Sequence, residues 1–204
     1  MRLKAMAKIN LGLDVLGKRE DGYHEVRMIM QTIRMYDILD IRKTRRPGIV
    51  LTTNLPFIPT DQRNLVYKAA QMLMEEFDVE EGLSIKLRKF IPVAAGMAGG
   101  SSDAAAAFVG VNRMFHLGLT EEQLMERAVK VGADVPYCIM RGTALAEGIG
   151  EKLTRLPEVP KCYVLIGKPG INVSTKTAYE NLNLEGIGKH PDIDGLIGAI
   201  RNND

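Results

Sequence analysis

Residues 91–108 constrain the fold of this chain more than any other stretch of its sequence. The stretch holds three glycines, a Ser-Ser-Asp triplet and four consecutive alanines: Gly96, Gly99, Gly100, 101–103 and 104–107. Because glycine has no Cβ, the backbone can take positive φ there and come close to a ligand. Serine and aspartate favour helix N-caps and alanine favours helix interiors, so the sequence predicts a loop followed by a helix over 102–115.

The start of such a helix is a candidate anion site. Its first N–H groups have no intrahelical acceptor, and the positive end of the helix dipole favours phosphate. The glycines are not followed by Gly-Lys-Ser/Thr, so the segment is not a Walker A motif. A tight turn that leads into a closely packed alanine-rich helix is the alternative interpretation.

The rest of the chain alternates between strand-like and helix-like patterns. The first strand-like stretch places apolar residues at odd positions and polar residues at even ones, so we expect a half-buried strand with Lys8 and Asn10 on its polar face. Patterns typical of strands occupy 7–16, 24–30, 36–44, 49–53, 83–89, 143–147 and 162–167. Helical patterns occupy 64–77, 102–115, 120–131, 174–179 and 192–201. The N-terminal sheet is expected to be antiparallel.

Bulk composition excludes several classes of protein. A net charge of +2 over 204 residues gives no reason to expect a nucleic-acid or membrane partner. There is no apolar run of about 18 residues and no signal-peptide pattern, which predicts a cytoplasmic protein. Cys138 and Cys162 both lie in apolar stretches, so we expect buried thiols in a reducing compartment.

Two further residues suggest phosphoryl-transfer chemistry. Such transfer needs cationic neutralisation of the phosphate and a carboxylate that accepts the proton of the attacking hydroxyl. Lys8 and Asp134 have the right chemistry, and Asp134 lies between a glycine and a Val-Pro step. Each also has an ordinary interpretation, as a solvated strand lysine and as a turn aspartate. From the residues alone, the sequence indicates only a phosphate-binding enzyme.

Taken together, these motifs resemble the GHMP kinases, which include galactokinase, homoserine kinase, mevalonate kinase and phosphomevalonate kinase. The Pro-x-x-x-Gly-x-x-Gly-Gly-Ser-Ser-Asp-Ala sequence at 92–104 looks like their central motif. Segments 7–11, 21–25, 132–136 and 147–151 are similar to the branch whose acceptor is a cytidine-diphosphate-linked methylerythritol of isoprenoid biosynthesis.

The resemblance implies a fold and an activity. The fold is α+β, a GHMP kinase N-terminal domain like domain 2 of ribosomal protein S5, followed by the start of a C-terminal α+β domain. The activity is transfer of the ATP γ-phosphate, with Mg²⁺, to the 2-hydroxyl of the methylerythritol unit. Asp134 would be the general base, and Lys8 would keep it ionised. A homoserine or mevalonate kinase and a non-catalytic binding protein of the same fold are the alternatives.

The resemblance also implies binding residues. Those for the acceptor substrate are Asn10, Tyr23, His24 and Tyr179, with the aromatic groups at the cytosine. Those for ATP are Pro92, Val93, Ala94, Ala95, Gly96, Met97, Ala98, Gly99, Gly100, Ser101, Ser102 and, near the adenosine, Asn64. The Ser102 hydroxyl is the expected Mg²⁺ contact. Asp103 is expected to cap the helix, with a position facing Mg²⁺ as the alternative. For the tyrosines, ordinary packing or surface exposure is the alternative.

The chain departs from the family pattern at its C-terminal end. Members of the family are longer and carry a further glycine-rich motif that this sequence does not contain. We therefore expect an ATP-binding domain at 1–155, the beginning of a C-terminal domain at 156–204, and a truncated chain. The sequence leaves open whether the protein is a monomer or a weak homodimer.

Overall fold

The structure is a computed structural model that describes residues 1–170 and 175–202. Its strands are β1 Arg2–Lys18, β2 His24–Thr44, β3 Ile49–Thr53, β4 Gly82–Arg88, β5 Thr143–Gly148 and β6 Lys152–Leu156. Its helices are α1 Leu65–Glu76, α2 Gly99–Phe115, α3 Glu121–Ala128, α4 Val135–Met140, α5 Thr175–Glu180 and α6 Ile193–Asn202, with a 3₁₀ turn at Leu184–Gly186. This mixture is the α+β fold that the sequence predicted. No helix of the described ranges is long and apolar enough to cross a membrane.

The chain divides into two compact units, and each consists of several segments. Unit 1 contains Met1–Lys8, Ile33–Pro92 and Ala98–Met140; unit 2 contains Ile9–Thr32, Val93–Met97 and Arg141–Asp204. Strands β1 and β2 therefore contribute residues to both units. The expected family division near residue 155 stays a prediction.

In unit 1, helices α1 and α2 pack together beside a three-stranded part of the sheet. The second half of β2 pairs antiparallel with β4, and β3 lies parallel to β4 on its other side. The alanines of α2 are buried, as is Phe108. A Cβ on Gly110 would lie 2.5 Å from Ile41 Cδ1, so this helix approaches β2 as closely as glycine allows.

In unit 2, the first half of β2 pairs antiparallel with β5, and β5 pairs antiparallel with β6. The amphipathic helix α6 covers this part of the sheet with its apolar face. Ile193, Ile197 and Ile200 pack against Ile29 and Leu145 to form an apolar core.

The helix boundaries confirm most of the predicted helices and correct the predicted start of α2. Thr120 and Gln123 form the predicted capping box at the start of α3. Helix α2, however, begins at Gly99, three residues earlier than predicted, and its N-cap is Ala98 in the left-handed region at φ 53°. The Ser-Ser-Asp triplet at 101–103 therefore lies inside the helix, and the prediction that Asp103 caps it was wrong.

The burial of β1 also differs from the prediction. Leu11 and Leu13, expected inside, are 39% and 38% exposed, whereas Lys8 and Asp14 on the expected polar face are buried. Packing accounts for the difference in unit 2, because a Cβ on Gly12 would lie 3.0 Å from Ile193 Cδ1. At Gly12 the even-numbered face of β1 is thus the one that α6 covers, whereas Ala7 and Val15 on the odd-numbered face are buried as predicted.

Three other strand predictions need correction. Strand β2 is continuous where two strands were predicted, and the pairing of β3 with β4 is parallel. Strand β6 was missed. Residues 162–167 are not a strand, since no strand of the described part of the chain pairs with them, and Cys162 is exposed rather than buried. Cys138 is buried as predicted. The expected first residue of the 174–179 helix, Ser174, lies outside the described residues.

Candidate active site

Lys8 and Asp134 come together in unit 1. The Lys8 ammonium lies 3.9 Å from Asp134 Oδ2, with the lysine side chain 7% exposed and the aspartate 33% exposed. Asp134 immediately precedes α4, and its backbone carbonyl accepts a hydrogen bond from Cys138 N–H. Pro136 lies in the first turn of α4, where its missing N–H costs no hydrogen bond. The pair therefore consists of a buried cation and a carboxylate that solvent can reach.

The N-terminal end of α2 has the features of an anion site. The first N–H groups of a helix lack intrahelical acceptors, and here no side chain caps them. The residues leading into the helix take positive φ at Ala94, Gly96 and Ala98. Two of these residues are alanines, which rarely adopt the left-handed backbone conformation. Such backbone strain is concentrated at ligand-binding sites.

Ser102 connects this helix end to β1. Its hydroxyl donates a 2.6 Å hydrogen bond to the backbone carbonyl of Met6, two residues before Lys8. Because the hydroxyl acts as donor, its oxygen keeps lone pairs that can coordinate a cation. Mg²⁺ held with ATP takes most of its ligands from phosphate and water. A single protein hydroxyl would therefore be enough for the Mg²⁺ ion that the sequence predicted. Among the described residues no cluster of three or more His, Cys, Asp or Glu could hold a metal ion.

A buried charged cluster in unit 1 was missed by sequence reasoning. We name the side chains of Lys89, Asp37 and Asp103 the buried triad. The Lys89 ammonium contacts Asp37 Oδ2 and lies 2.6 Å from Asp103 Oδ2. Burial raises the pKa of Asp103 well above its usual range, against the opposing effect of Lys89. Asp103 Oδ1 is buried without a hydrogen-bond partner among the described residues.

The sequence did contain a signal for the buried triad. The alternation that places Leu83, Ile85 and Leu87 inward continues to Lys89. On β2 the buried Leu39 and Ile41 are likewise in phase with Asp37. Two opposite charges at inward positions of neighbouring strands indicate a buried ion pair.

The residues predicted for the base of the substrate lie in unit 2. The rings of His24 and Tyr179 have their centroids 5.0 Å apart at an angle of 34°, so they are in direct contact. A base between them requires the two rings to separate. Tyr23 is 58% exposed, and Asn10 is half-buried on β1. The sequence predicted these rings on opposite sides of the cytosine; this role and the other binding roles stay predictions.

Asn64 has a structural role in this conformation. Its side-chain oxygen accepts a hydrogen bond from Val66 N–H at the start of α1, and its amide donates to Pro59 O. Contact with an adenosine would have to coexist with this N-cap or replace it.

Comparison with known proteins agrees with this geometry. The profile of the GHMP kinase N-terminal domain matches residues 64–142. The 4-diphosphocytidyl-2-C-methyl-D-erythritol kinase of Lachnospira eligens is 57% identical over 201 residues, which cover 98% of this chain and 70% of that protein. A crystal structure of 4-(cytidine 5'-diphospho)-2C-methyl-D-erythritol kinase matches with a TM-score of 0.81 and 30% identity, covering 100% of this chain and 72% of that one.

A homoserine kinase from Cytophaga hutchinsonii shares the fold. Its TM-score is 0.68 at 18% identity, and the match covers 99% of this chain and 69% of that one. At this identity the likeness concerns architecture alone.

Proposed function

This chain belongs to the 4-diphosphocytidyl-2-C-methyl-D-erythritol kinases, a family of GHMP kinases, and on that premise we propose the reaction that it catalyses. The chain transfers the γ-phosphate of ATP to the 2-hydroxyl of 4-diphosphocytidyl-2-C-methyl-D-erythritol, a step of isoprenoid biosynthesis. The observation that carries the proposal is the Lys8–Asp134 pair. Its lysine is on the strand that α2 contacts through Ser102.

Asp134 acts as the general base in this proposal. Its carboxylate accepts the proton of the acceptor hydroxyl as the oxygen forms a bond to the γ-phosphorus. The bond between that phosphorus and the β,γ-bridging oxygen breaks, and ADP leaves with the electron pair. Lys8 stabilises the carboxylate before the transfer and the negative charge on the phosphoryl oxygens during it.

The start of α2 binds the phosphates of ATP in this proposal. Its N–H groups point toward the anion, and the helix dipole favours negative charge there. The Ser102 hydroxyl would be one ligand of Mg²⁺ bound with ATP, and the ion would further neutralise the phosphates. The segment 92–101 contributes mainly backbone groups, which explains its small side chains.

The acceptor substrate binds through its cytosine and its alcohol chain. His24, Tyr179 and Tyr23 provide aromatic surfaces for the base, and Asn10 on β1 provides an amide for the acceptor substrate. Since the aromatic groups recognise the nucleotide part, the proposal predicts that a free short alcohol is a poor acceptor. Cytoplasmic location and the lack of nucleic-acid and membrane partners stay predictions from the sequence.

A substrate panel tests the proposed function. ADP release is measured with the cytidine-diphosphate-linked methylerythritol, homoserine and mevalonate as acceptors at equal concentrations. We expect turnover with the first and none above background with the others. Preference for either simple alcohol would replace the proposed acceptor, and binding of the cytidine compound without ADP release would favour a non-catalytic binding protein.

A further inference from the structure

The buried triad places three ionisable side chains in the interior of unit 1, where charged groups are rare. The Lys89 side chain is 5% exposed and that of Asp103 3%, and Asp37 is fully buried. Buried charges are costly even when paired, and apolar residues of similar volume often stabilise a protein equally well. A triad at this depth therefore calls for a role beyond stability.

Asp37 fixes the backbone that leads out of β4. Its Oδ2 meets the Lys89 ammonium, while its Oδ1 accepts hydrogen bonds from the N–H groups of Phe90 and Ile91. The Lys89 backbone is held separately, because Asn54 exchanges two hydrogen bonds with it. The residues just before Pro92 are thus held in one conformation by side chains from two other parts of unit 1.

The same ammonium reaches the first residue of α2. A Cβ on Gly99 would lie 3.2 Å from Lys89 Nζ and 3.2 Å from Ile91 Cγ2, tighter than most real Cβ contacts. One turn further along the helix, Asp103 holds Lys89 from its carboxylate. The lysine therefore touches α2 at its beginning and is bonded to it at its fifth residue.

We propose that Lys89 is a positioning residue for ATP, which through Asp37 and Asp103 fixes the N-terminal end of α2 where the phosphates bind. This inference rests on the proposed function for the identity of the ligand. The N–H groups of a helix end bind phosphate well only when they are aimed at it, and small displacements of positioned groups cost large factors in rate and affinity. The residues proposed to bind the acceptor belong to unit 2, whereas the triad belongs to unit 1.

The test compares Lys89→Met, Lys89→Arg and the control Lys86→Met in the full chain. Lys86 lies on β4, three residues before Lys89, with its side chain exposed. Steady-state kinetics give KM for ATP and for the acceptor, and titration calorimetry gives ATP affinity without acceptor. For Lys89→Met we expect KM and Kd for ATP to rise about tenfold or more, with KM for the acceptor within about twofold of wild type. We expect Lys89→Arg to recover part of the loss and Lys86→Met to match wild type.

A second variant covers the case in which Lys89→Met fails to fold. In Lys89→Met/Asp37→Asn/Asp103→Asn no unpaired carboxylate remains in the buried triad, and the oxygen of the asparagine at 37 can still accept the hydrogen bonds from Phe90 and Ile91. The same rise in KM for ATP is expected there. Unchanged ATP affinity in a folded variant would overturn the proposal, as would equal losses for ATP and acceptor. Calorimetry with ATP alone remains valid if the acceptor proves to be another alcohol, so the two proposals fail separately.

Discussion

Replacing Asp134 by asparagine separates catalysis from stability at the proposed base. Asparagine keeps the shape of the side chain and removes its ability to take a proton. A positioned general base contributes about 10²- to 10⁴-fold in rate, equivalent to about 3 to 5 kcal/mol. The Lys8 ammonium is 3.9 Å away, a distance at which two unit charges interact by about 4 kcal/mol near a protein surface and about 1 kcal/mol in water.

The stability of the same variant should change less than its activity. Lys8 is 7% exposed, so its buried ammonium would lose a partner, but Asp134 is one-third exposed and water can replace part of the lost interaction. We therefore expect kcat to fall by at least about 100-fold, with an unfolding free energy lower by no more than about 3 kcal/mol. The measurements are ADP release at saturating ATP and acceptor, and urea unfolding followed by circular dichroism.

The matched control is Asp61→Asn, which removes another aspartate that is paired with a cation, here Arg63 on the surface. It should keep wild-type kcat. Retention of more than about a tenth of wild-type kcat by folded Asp134→Asn would contradict the role of Asp134 as general base, since such a base typically contributes about 10²- to 10⁴-fold.

Two further predictions concern stability. Gly110→Ala brings a Cβ to 2.5 Å from Ile41 Cδ1, and this clash should destabilise the protein by about 1 to 3 kcal/mol, offset by about 1 kcal/mol of helix propensity. Gly198→Ala in α6 meets nothing within 4 Å and should stabilise the protein by up to about 1 kcal/mol. Equal urea midpoints for the two variants would contradict this prediction. Hydrogen bonding to Arg2 lowers the pKa of Asp40 in the folded state. The Asp40 carboxylate therefore contributes fully to the stability of the fold above its pKa in the unfolded chain, and this contribution is lost as the pH falls through its pKa in the folded protein. Asp40→Asn should therefore flatten the loss of stability in acid, and an unchanged acid slope in urea unfolding would refute the assignment.

Local patterns were enough to predict much of unit 1. The capping box at Thr120, the helix after Asn64 and the strand at 49–53 follow from short-range chemistry, and each is present. The meeting of Lys8 and Asp134, 126 positions apart, was predicted from a family resemblance and not from periodicity.

Long-range packing decided the cases where the prediction was wrong. Which face of β1 is buried depends on a helix some 180 residues later, since Ile193 lies over Gly12. The start of α2 at Gly99 depends on neighbours as well, because the left-handed Ala98 has no local preference for that conformation. The alternation indicates inward positions for Lys89 and Asp37, but their meeting depends on the pairing of β2 with β4, which no local pattern specifies.

The long span of the β2–β5 pairing has a consequence for synthesis on the ribosome. Gln31 pairs with Thr143, 112 residues later, so this edge of β2 has no partner until β5 has emerged. At roughly 5 to 20 residues per second, that interval lasts roughly 6 to 22 seconds. During it the apolar Met28, Ile29 and Met30 lie along an open strand edge, a template for pairing between nascent chains. Slower translation between β2 and β5 should therefore lower the yield of soluble protein, and a chaperone that covers this segment should restore it.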